Sequence, residues 1–442
     1  MNKLVNVHKL FVLFIALFFQ TENIKAQEQK EFATINEILV FTKSKNYQFK
    51  NADWQIKLAN LTNKMAKLNR YNPKTPTSIQ VLDNINQQVS FLPGQAFGQP
   101  NGTFKEVTIG QQYVSTFNIQ PQFDILNMAS NAQIKTAKIN QQLVENQNKI
   151  NEQTLYEKIN MVYFNILSFD AQKEVLKENI KIANDILRII NNKFNAGIAR
   201  KQEVNEAEVN LISLQDKLEQ IEMNTKMQYQ TLNLFFENQI DASLSQNLWD
   251  YQNIDTVLQT QNNLIVENAR LQSQMAQQEY KALKYQNLPV LSFVSSFNWQ
   301  NLSNDFSFAK NSNWINYNYV GLKLSYDLPT TIQKYSNQKS KQMQIEIWKN
   351  NEEHSQKENE TRNAQMVLEY EKSLKQKENF RKIYDLKKDT YEKNYNQFKE
   401  NILSLDKLLI SQNDMLISKL NMVSALANIG FNKTKIEINN EF

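Results

Sequence analysis

The sequence predicts a mostly helical fold with a smaller β domain, built as two similar halves. The seven prolines lie within two segments, 73–121 and 289–329, so that 122–288 and 330–442 contain none. Apolar residues in these long proline-free stretches recur at alternating steps of three and four, the period of helices that pack as coiled coils. Inside the two proline-containing segments, apolar and polar residues alternate, which is the period of a strand with one apolar face.

The N-terminal segment has the composition of a secretory signal. A basic start is followed by ten apolar residues, Leu10 to Phe19, and Ala26 provides a small residue for cleavage before Gln27. Ten apolar residues are too few to cross a bilayer as a helix. We therefore expect residues 1–26 to be removed on export; the alternative is a retained N-terminal anchor.

Composition argues against several classes of function. The chain has no cysteine and two histidines, of which His354 alone lies beyond the predicted signal. His/Cys metal sites and Ser-His or Cys-His nucleophiles therefore lack their residues. The signal carries three lysines and one glutamate, so its removal lowers the net charge from +5 to +3. That charge is too small to favour a nucleic-acid partner, and we expect no enzyme, no cofactor and no metal.

Two heptad seams meet at a glycine. Apolar residues recur from Leu155 to Phe194, and the pattern restarts after Gly197 with Val204 and Ala207. A single helix over 123–195 would be a rod of roughly 110 Å, longer than a compact globular domain requires. Periodicity alone fits a channel of packed helices and also a solvated filament or stalk.

Four strands of period two are predicted, at about 75–91, 106–121, 289–302 and 313–328. The third is the clearest, because Leu291, Phe293, Phe297 and Trp299 alternate with Ser292, Ser296, Asn298 and Gln300. Such strands suit a membrane barrel whose apolar side faces lipid, although a soluble β-sandwich would alternate equally well. Since even a tightly filled barrel takes about eight strands, several chains would have to build it.

The fourth strand contains a change of phase. The apolar residues of 320–328 share one face, whereas those of 315–319 lie on the opposite face, so we predict a bulge near Tyr319. Aromatic residues near the strand ends would suit a membrane-interface girdle. The candidates are Trp299, Trp314, Tyr317 and Tyr319.

An internal repeat relates the two halves of the chain. Tyr71–Pro73 and Asn287–Pro289 each end a helix and open a strand, whereas Pro121–Phe123 and Pro329–Thr331 end a strand and open a helix. Phe194 to Ile198 then matches Phe398 to Ile402 at an offset of 204 residues. The equivalent Gly197 and Asn401 are the residue types best able to adopt the left-handed conformation of a tight helix-to-helix turn.

Two domains follow from the repeat. The first, 27–241, contains a helix, the strands at about 75–91 and 106–121, a long helix over 123–195, a tip turn and a helix over 201–237. The second, 242–442, contains a helix, the strands at about 289–302 and 313–328, a long helix over 331–398, a tip turn and a helix over 405–436.

The residues around the two turns carry a resemblance to a known family. Phe194-Asn195-Ala196-Gly197, followed by Glu203-Val204-Asn205-Glu206-Ala207-Glu208, resembles the tip turn and returning helix of the outer-membrane efflux protein (TolC) family. Phe398 to Asn401 is similar, but Asn401 replaces the usual glycine. Leu92 to Thr103 also resembles an extracellular loop of some members.

The resemblance implies a homotrimer with a twelve-stranded β-barrel in the outer membrane and an α-barrel of helical hairpins in the periplasm. Its implied function is a porin-like exit duct of a tripartite efflux pump or type I secretion system. A periplasmic adaptor and an inner-membrane transporter would be its partners, besides outer-membrane lipid. The alternative is a periplasmic or surface coiled-coil structural protein or adhesin.

Three groups of residues are predicted to carry this function. The adaptor-docking tips comprise Phe194, Asn195, Ala196, Gly197, Ile198, Ala199, Phe398, Asn401, Ile402, Leu403 and Ser404. The lipid-facing strand residues are Leu291, Phe293, Phe297 and Trp299.

The third group is a candidate periplasmic gate. The resemblance implies acidic rings six and nine residues after the second turn, but those positions hold Lys407 and Ile410. Asp406 lies one position away, and Glu203 and Glu206 stand at the same counts after Gly197. These three acids form the candidate gate; the alternative is ordinary solvated helix charge.

Overall fold

The computed structural model describes residues 28–70, 74–253, 258–306, 313–328 and 332–442. The predicted signal 1–26 and its cleavage at Gln27 lie outside the described residues. Two of the four segments where the repeat was predicted to pass between helix and strand, 71–73 and 329–331, lie outside them as well. The chain forms two compact units. The first takes the described residues of Met1–Ala52, Lys149–Asn263 and Glu358–Phe442, and the second takes those of Asp53–Asn148 and Leu264–Lys357.

The described residues form nine strands and seven α-helices, each numbered in chain order. The strands are β1 (Glu28–Phe32), β2 (Thr77–Asp83), β3 (Val89–Pro93), β4 (Phe104–Thr108), β5 (Tyr113–Ile119), β6 (Gln122–Leu126), β7 (Ile240–Leu244), β8 (Val290–Ser303) and β9 (Asn313–Ser325). The helices are α1 (Ile35–Lys45), α2 (Tyr47–Asn69), α3 (Met128–Asn195), α4 (Lys201–Phe235), α5 (Leu264–Tyr285), α6 (Ile332–Lys399) and α7 (Leu405–Glu441). None of these helices combines the length and the apolar composition needed to cross a membrane.

The heptad seam predicted for the first hairpin is the buried face of α3. Ile159 and Ile166 on that face are fully buried, and they share one apolar cluster with Leu214 of α4 and with Leu416 and Val423 of α7. Burial of one stripe explains how long helices form in a chain whose mean hydropathy is −0.58, since the remaining faces stay polar.

A small parallel sheet in the first unit was not predicted from the sequence. β1 pairs with β7 from Glu28 opposite Ile240 to Phe32 opposite Leu244. Phe32 stacks on Phe236 with ring centroids 5.5 Å apart, so the pairing ties the N-terminal strand to the end of α4.

The first two predicted strands are each divided in two. The segment 75–91 becomes β2 and the start of β3, and 106–121 becomes the end of β4 and then β5. The division arises because β3 and β4 pair with each other as a separate hairpin, while β2 pairs with β5. Gly110, with a φ of +102°, lies where the chain passes from this hairpin back to the sheet.

The helix predicted to begin at 123 begins at Met128 instead. Gln122 to Leu126 form β6, which pairs with β8 and contains a register shift between Asp124 and Leu126. Pro121 therefore separates two strands rather than a strand and a helix, and its carbonyl accepts a hydrogen bond from the Ser295 amide at 3.0 Å.

The large antiparallel sheet lies in the second unit. Its order is β2-β5-β8-β6, and β9 pairs with the other edge of β8. The β8–β9 register runs without a shift from Val290 opposite Ser325 to Leu302 opposite Asn313. The predicted bulge near Tyr319 is therefore wrong: the change of phase is a change in which face of β9 carries the apolar residues.

Candidate functional site

The register of the large sheet separates an apolar face from a polar face. Phe117 lies opposite Trp299, and Phe123 lies opposite Phe293, with ring centroids 5.4 and 5.1 Å apart. Residues directly opposite share a face, so these stacked pairs fix the apolar face across three strands. The register adds to it Ile79, Val81, Ile119, Leu291, Phe297, Trp314, Val320, Leu322 and Leu324. Polar residues also occur on this face, and they include Ser115, Ser295, Asn301, Asn316 and Asn318, with Asp83 at the end of β2.

The apolar face is left uncovered by the chain itself. Val320, Leu322 and Leu324 are 68%, 69% and 70% exposed. A contiguous exposed apolar surface of this kind requires lipid or another protein to cover it. All four residues predicted to face lipid lie on this face, and Phe297 is 38% exposed.

The polar face carries side-chain hydrogen bonds within β8 and from β8 to its neighbours. The Asn298 side-chain amide donates to Ser296 Oγ at 2.9 Å, and the Asn118 amide donates to the Asn298 side-chain oxygen. Ser292 Oγ donates to Asp124 Oδ1 at 2.7 Å. A sheet with one apolar face and one hydrogen-bonding face is suited to separate lipid from water.

The two helix-to-helix turns have the same backbone geometry. Gly197 and Asn401 have φ of +74° and +60°, the left-handed region that glycine and asparagine tolerate. In the first turn, the Ile198 amide donates to the Lys193 carbonyl at 2.8 Å. The equivalent bond in the second joins the Ile402 amide to the Gln397 carbonyl at 2.9 Å. Asparagine thus replaces glycine without changing the turn.

An apolar cluster joins the two hairpins just behind the turns. Phe398 is 3% exposed and packs with Ile190, Val204 and Leu405. Lys193 Nζ donates to the Phe398 carbonyl at 2.7 Å and lies 4.0 Å from the centre of its ring. Burial lowers the pKa of Lys193, and the charge of Glu203 partly offsets that effect. Sequence reasoning missed Lys193, because a lysine in a heptad rod normally faces water.

The predicted docking residues fall into two classes by exposure. Phe398 belongs to the cluster core, and Ala199 and Leu403 pack partly buried against it. Ile198 and Ile402, at equivalent positions in the two turns, are 64% and 74% exposed. The others are exposed as well: Phe194, Asn195, Ala196, Gly197, Asn401 and Ser404.

The three candidate gate acids also differ. Glu203 caps α4, since its Oε2 accepts from the Arg200 amide at 2.8 Å. A hydrogen bond with Asp406 raises the pKa of Glu206 most, followed by partial desolvation and the negative charges of Asp406 and Glu203. Glu206 and Asp406 line a groove of about 570 Å³ between α4 and α7. In the described part of the chain, no three His, Asp or Glu side chains converge to hold a metal ion.

Known proteins share this fold and part of this sequence. Residues 99–235 match the family model described as outer membrane efflux protein. The outer membrane protein VceC from Vibrio cholerae has a similar structure, with a TM-score of 0.72 and 12% identity over 92% of this chain and 96% of that one. The Campylobacter jejuni CmeC outer membrane channel gives a TM-score of 0.70 and 14% identity over 92% and 85%. No curated protein matches the chain by sequence.

The two-faced antiparallel sheet and the two long helical hairpins form a fold that VceC and CmeC share. The sequence match to the family model covers the end of the first strand pair and the whole first hairpin, including the Gly197 turn. Over residues 99–235 the chain is similar to the outer membrane efflux protein family, and over most of its length it shares the fold of these solved channels.

Proposed function

We propose that three copies of this chain form an outer-membrane channel that serves as the exit duct of a tripartite efflux pump or type I secretion system. The main support for this proposal is the two-faced sheet, because its apolar face requires lipid and its polar face requires water. The four residues Leu291, Phe293, Phe297 and Trp299 would face lipid. Ser292, Ser296, Asn298 and Gln300 would face the pore.

Trimer formation is supported by the two open edges of the sheet. Along the path β2-β5-β8-β9 every pairing is antiparallel, so β9 of one copy and β2 of the next also run antiparallel. Unpaired backbone groups are not tolerated next to lipid, where a sheet must close into a barrel. Three copies of four strands give twelve, enough for an aqueous bore.

The helix tips are proposed to dock the hairpin of a periplasmic adaptor that connects the channel to an inner-membrane transporter. Exposed Ile198 and Ile402 provide apolar contact at equivalent positions of the two turns. The pair of Glu206 and Asp406 and the nearby Glu203 would form an acidic constriction at this entrance. The two repeats, 27–241 and 242–442, would thus contribute equivalent tips to one ring.

Cysteine crosslinking tests the trimer directly, since the chain contains no cysteine. One variant would carry Ile79→Cys in β2 together with a cysteine scanned through Val320, Leu322 and Leu324 of β9. We expect oxidation to link the three copies for one or two of these pairs. Phe117→Cys combined with Val320→Cys is the matched control, because both lie on the apolar face but β5 is not an edge strand; it should give no linked species.

Conductance separates the channel from the coiled-coil alternative. The detergent-solubilised trimer should form ion-conducting pores in a planar bilayer. A monomer in mild detergent, or a trimer that does not conduct, would contradict the proposal. A structural protein or adhesin would be extracted without detergent and would leave the bilayer impermeable.

A further inference from the structure

The register of β9 brings two tyrosines to the polar face of the sheet. Tyr319 lies opposite Ser296, and Tyr317 lies opposite Asn298, with Ile315 two residues further along. The Asn298 side-chain amide also donates to the Tyr317 carbonyl at 3.0 Å, which adds a side-chain bond to the backbone pairing of β8 with β9. These tyrosines therefore cannot share a lipid-facing girdle with Trp299 and Trp314, which remain on the apolar face.

The two tyrosine side chains are accessible and lie close together. Tyr317 is 49% and Tyr319 is 56% exposed. Alternate residues of a strand are separated by about 7 Å, which lets one flat molecule contact both rings.

The surroundings of the tyrosines are uncharged but rich in hydrogen-bonding groups. At the level of Tyr317 the register places the side chains of Asn298, Asn118 and Ser78. The charged residues that the pairings place on this face, Lys74, Asp124 and Lys323, lie towards the Ser292 end of β8. Attraction at the tyrosines would thus depend on ring contact and hydrogen bonding, with little contribution from long-range charge.

We propose that Tyr317 and Tyr319 form an aromatic contact site inside the pore for transported molecules that carry a planar aromatic ring. Three copies would place three such pairs around the lumen. Aromatic pairs attract each other beyond their buried area, and a cation on the ring-bearing molecule adds attraction to a tyrosine face. This inference rests on the proposed channel function, because it requires the polar face to line the pore.

Cysteine accessibility tests which face the tyrosines occupy. Tyr317→Cys and Tyr319→Cys in the otherwise cysteine-free chain should react with a charged, membrane-impermeant thiosulfonate, and the reaction should lower single-channel conductance. Val320→Cys on the opposite face is the control and should leave conductance unchanged. Reaction at Val320 with no effect at the two tyrosine positions would overturn the assignment.

Current block tests the contact site itself. Rhodamine 6G, an aromatic cation, and tetrahexylammonium, an aliphatic cation of the same charge, would be added to single channels. We expect Tyr317→Leu with Tyr319→Leu to raise the half-blocking concentration of rhodamine by roughly tenfold, with no change for tetrahexylammonium. Tyr→Phe at both positions keeps the rings and should block almost as the wild type does, and Trp314→Leu should do the same.

The outcomes of these experiments separate failure of the aromatic contact site from failure of the proposed channel function. If the wild type conducts but rhodamine blocks the leucine variant equally well, the contact site is wrong and the channel stands. If both blockers lose potency together in the leucine variant, the pore has changed shape, and the aromatic assignment is also wrong. A wild-type trimer that does not conduct would overturn the proposed function, and the inference with it.

Discussion

Gly430 on α7 is the position where one added methyl group has the most clearly defined consequence. A Cβ at this position would lie 2.1 Å from Cε1, 2.6 Å from Cζ and 2.9 Å from Cδ1 of Phe164 on α3. The Phe164 ring is 2% exposed and packs edge-on against Tyr163 and Tyr251, each with a centroid distance of 5.2 Å. The ring therefore has little room to move away from α7.

Two effects of opposite sign determine the cost of Gly430→Ala. Alanine favours a helix over glycine by about 1 kcal/mol. Forcing a methyl group into a packed core costs about 1–3 kcal/mol. Since the contact with Phe164 is far below van der Waals distance and involves three ring atoms, we expect steric strain to exceed the helix preference. The net result should be a loss of up to about 2 kcal/mol in the free energy of unfolding.

A double-mutant cycle isolates the contact. Unfolding by guanidinium, followed by circular dichroism in detergent, would be compared for the wild type, Gly430→Ala, Phe164→Leu and the double variant. In the Phe164→Leu background the same alanine should be neutral or stabilising, because the ring atoms are gone. If Gly430→Ala stabilises the protein with Phe164 present, the close packing of α3 against α7 is wrong.

Two further predictions concern the sheet and the candidate gate. Leu322→Arg on the apolar face should cost about 2–4 kcal/mol and reduce trimer yield, whereas Gln300→Arg on the polar face should preserve the trimer and shift ion selectivity towards anions; equal tolerance of both would reject the two-face assignment. Because the pKa of Glu206 is raised, chiefly by its hydrogen bond with Asp406, the protonated form that can donate this bond is lost as pH rises through the raised pKa. Cation selectivity should therefore increase over that acidic range, and Glu206→Gln should remove the step; a selectivity titration that is unchanged in Glu206→Gln would contradict the pairing.

The helical hairpins could be predicted from the sequence. Proline-free stretches and a three-four apolar period locate α3 and α4, and the buried Ile159 and Ile166 lie on the predicted seam. The turns could be predicted because glycine and asparagine tolerate positive φ better than other residues. Gly197 and Asn401 are equivalent in the structure as well, because both turns form the same backbone hydrogen bond.

The short strands and the faces of the sheet could not be predicted so well. β1, β6 and β7 are five residues long and offer too few alternations to distinguish strand from loop. In β9, a bulge and an exchange of apolar faces produce the same sequence pattern, and pairing with β8 alone decides between them. The contact of Lys193 with Phe398 depends on how two hairpins pack, which heptad spacing does not specify.

Adaptor docking can be tested at the exposed residues of the two helix-to-helix turns. Ile198 and Ile402 point their apolar side chains into solvent at 64% and 74% exposure, whereas Ala199 packs against the cluster behind the turns. Aspartate at Ala199 would place a charge beside that cluster, so loss of export there would not distinguish docking from folding.

Ile198→Asp and Ser404→Asp avoid this difficulty. Ile198 is largely exposed, and Ser404 is the N-cap of α7, a position where aspartate caps as well as serine does. We expect both variants to keep the yield and thermal stability of the trimer, while crosslinking to the adaptor is lost and export from the native cell falls. Val40→Asp on α1, at a residue 73% exposed, introduces the same charge on another helix and should leave export unchanged. Export that persists with both tip aspartates in an intact trimer would show that the adaptor binds elsewhere.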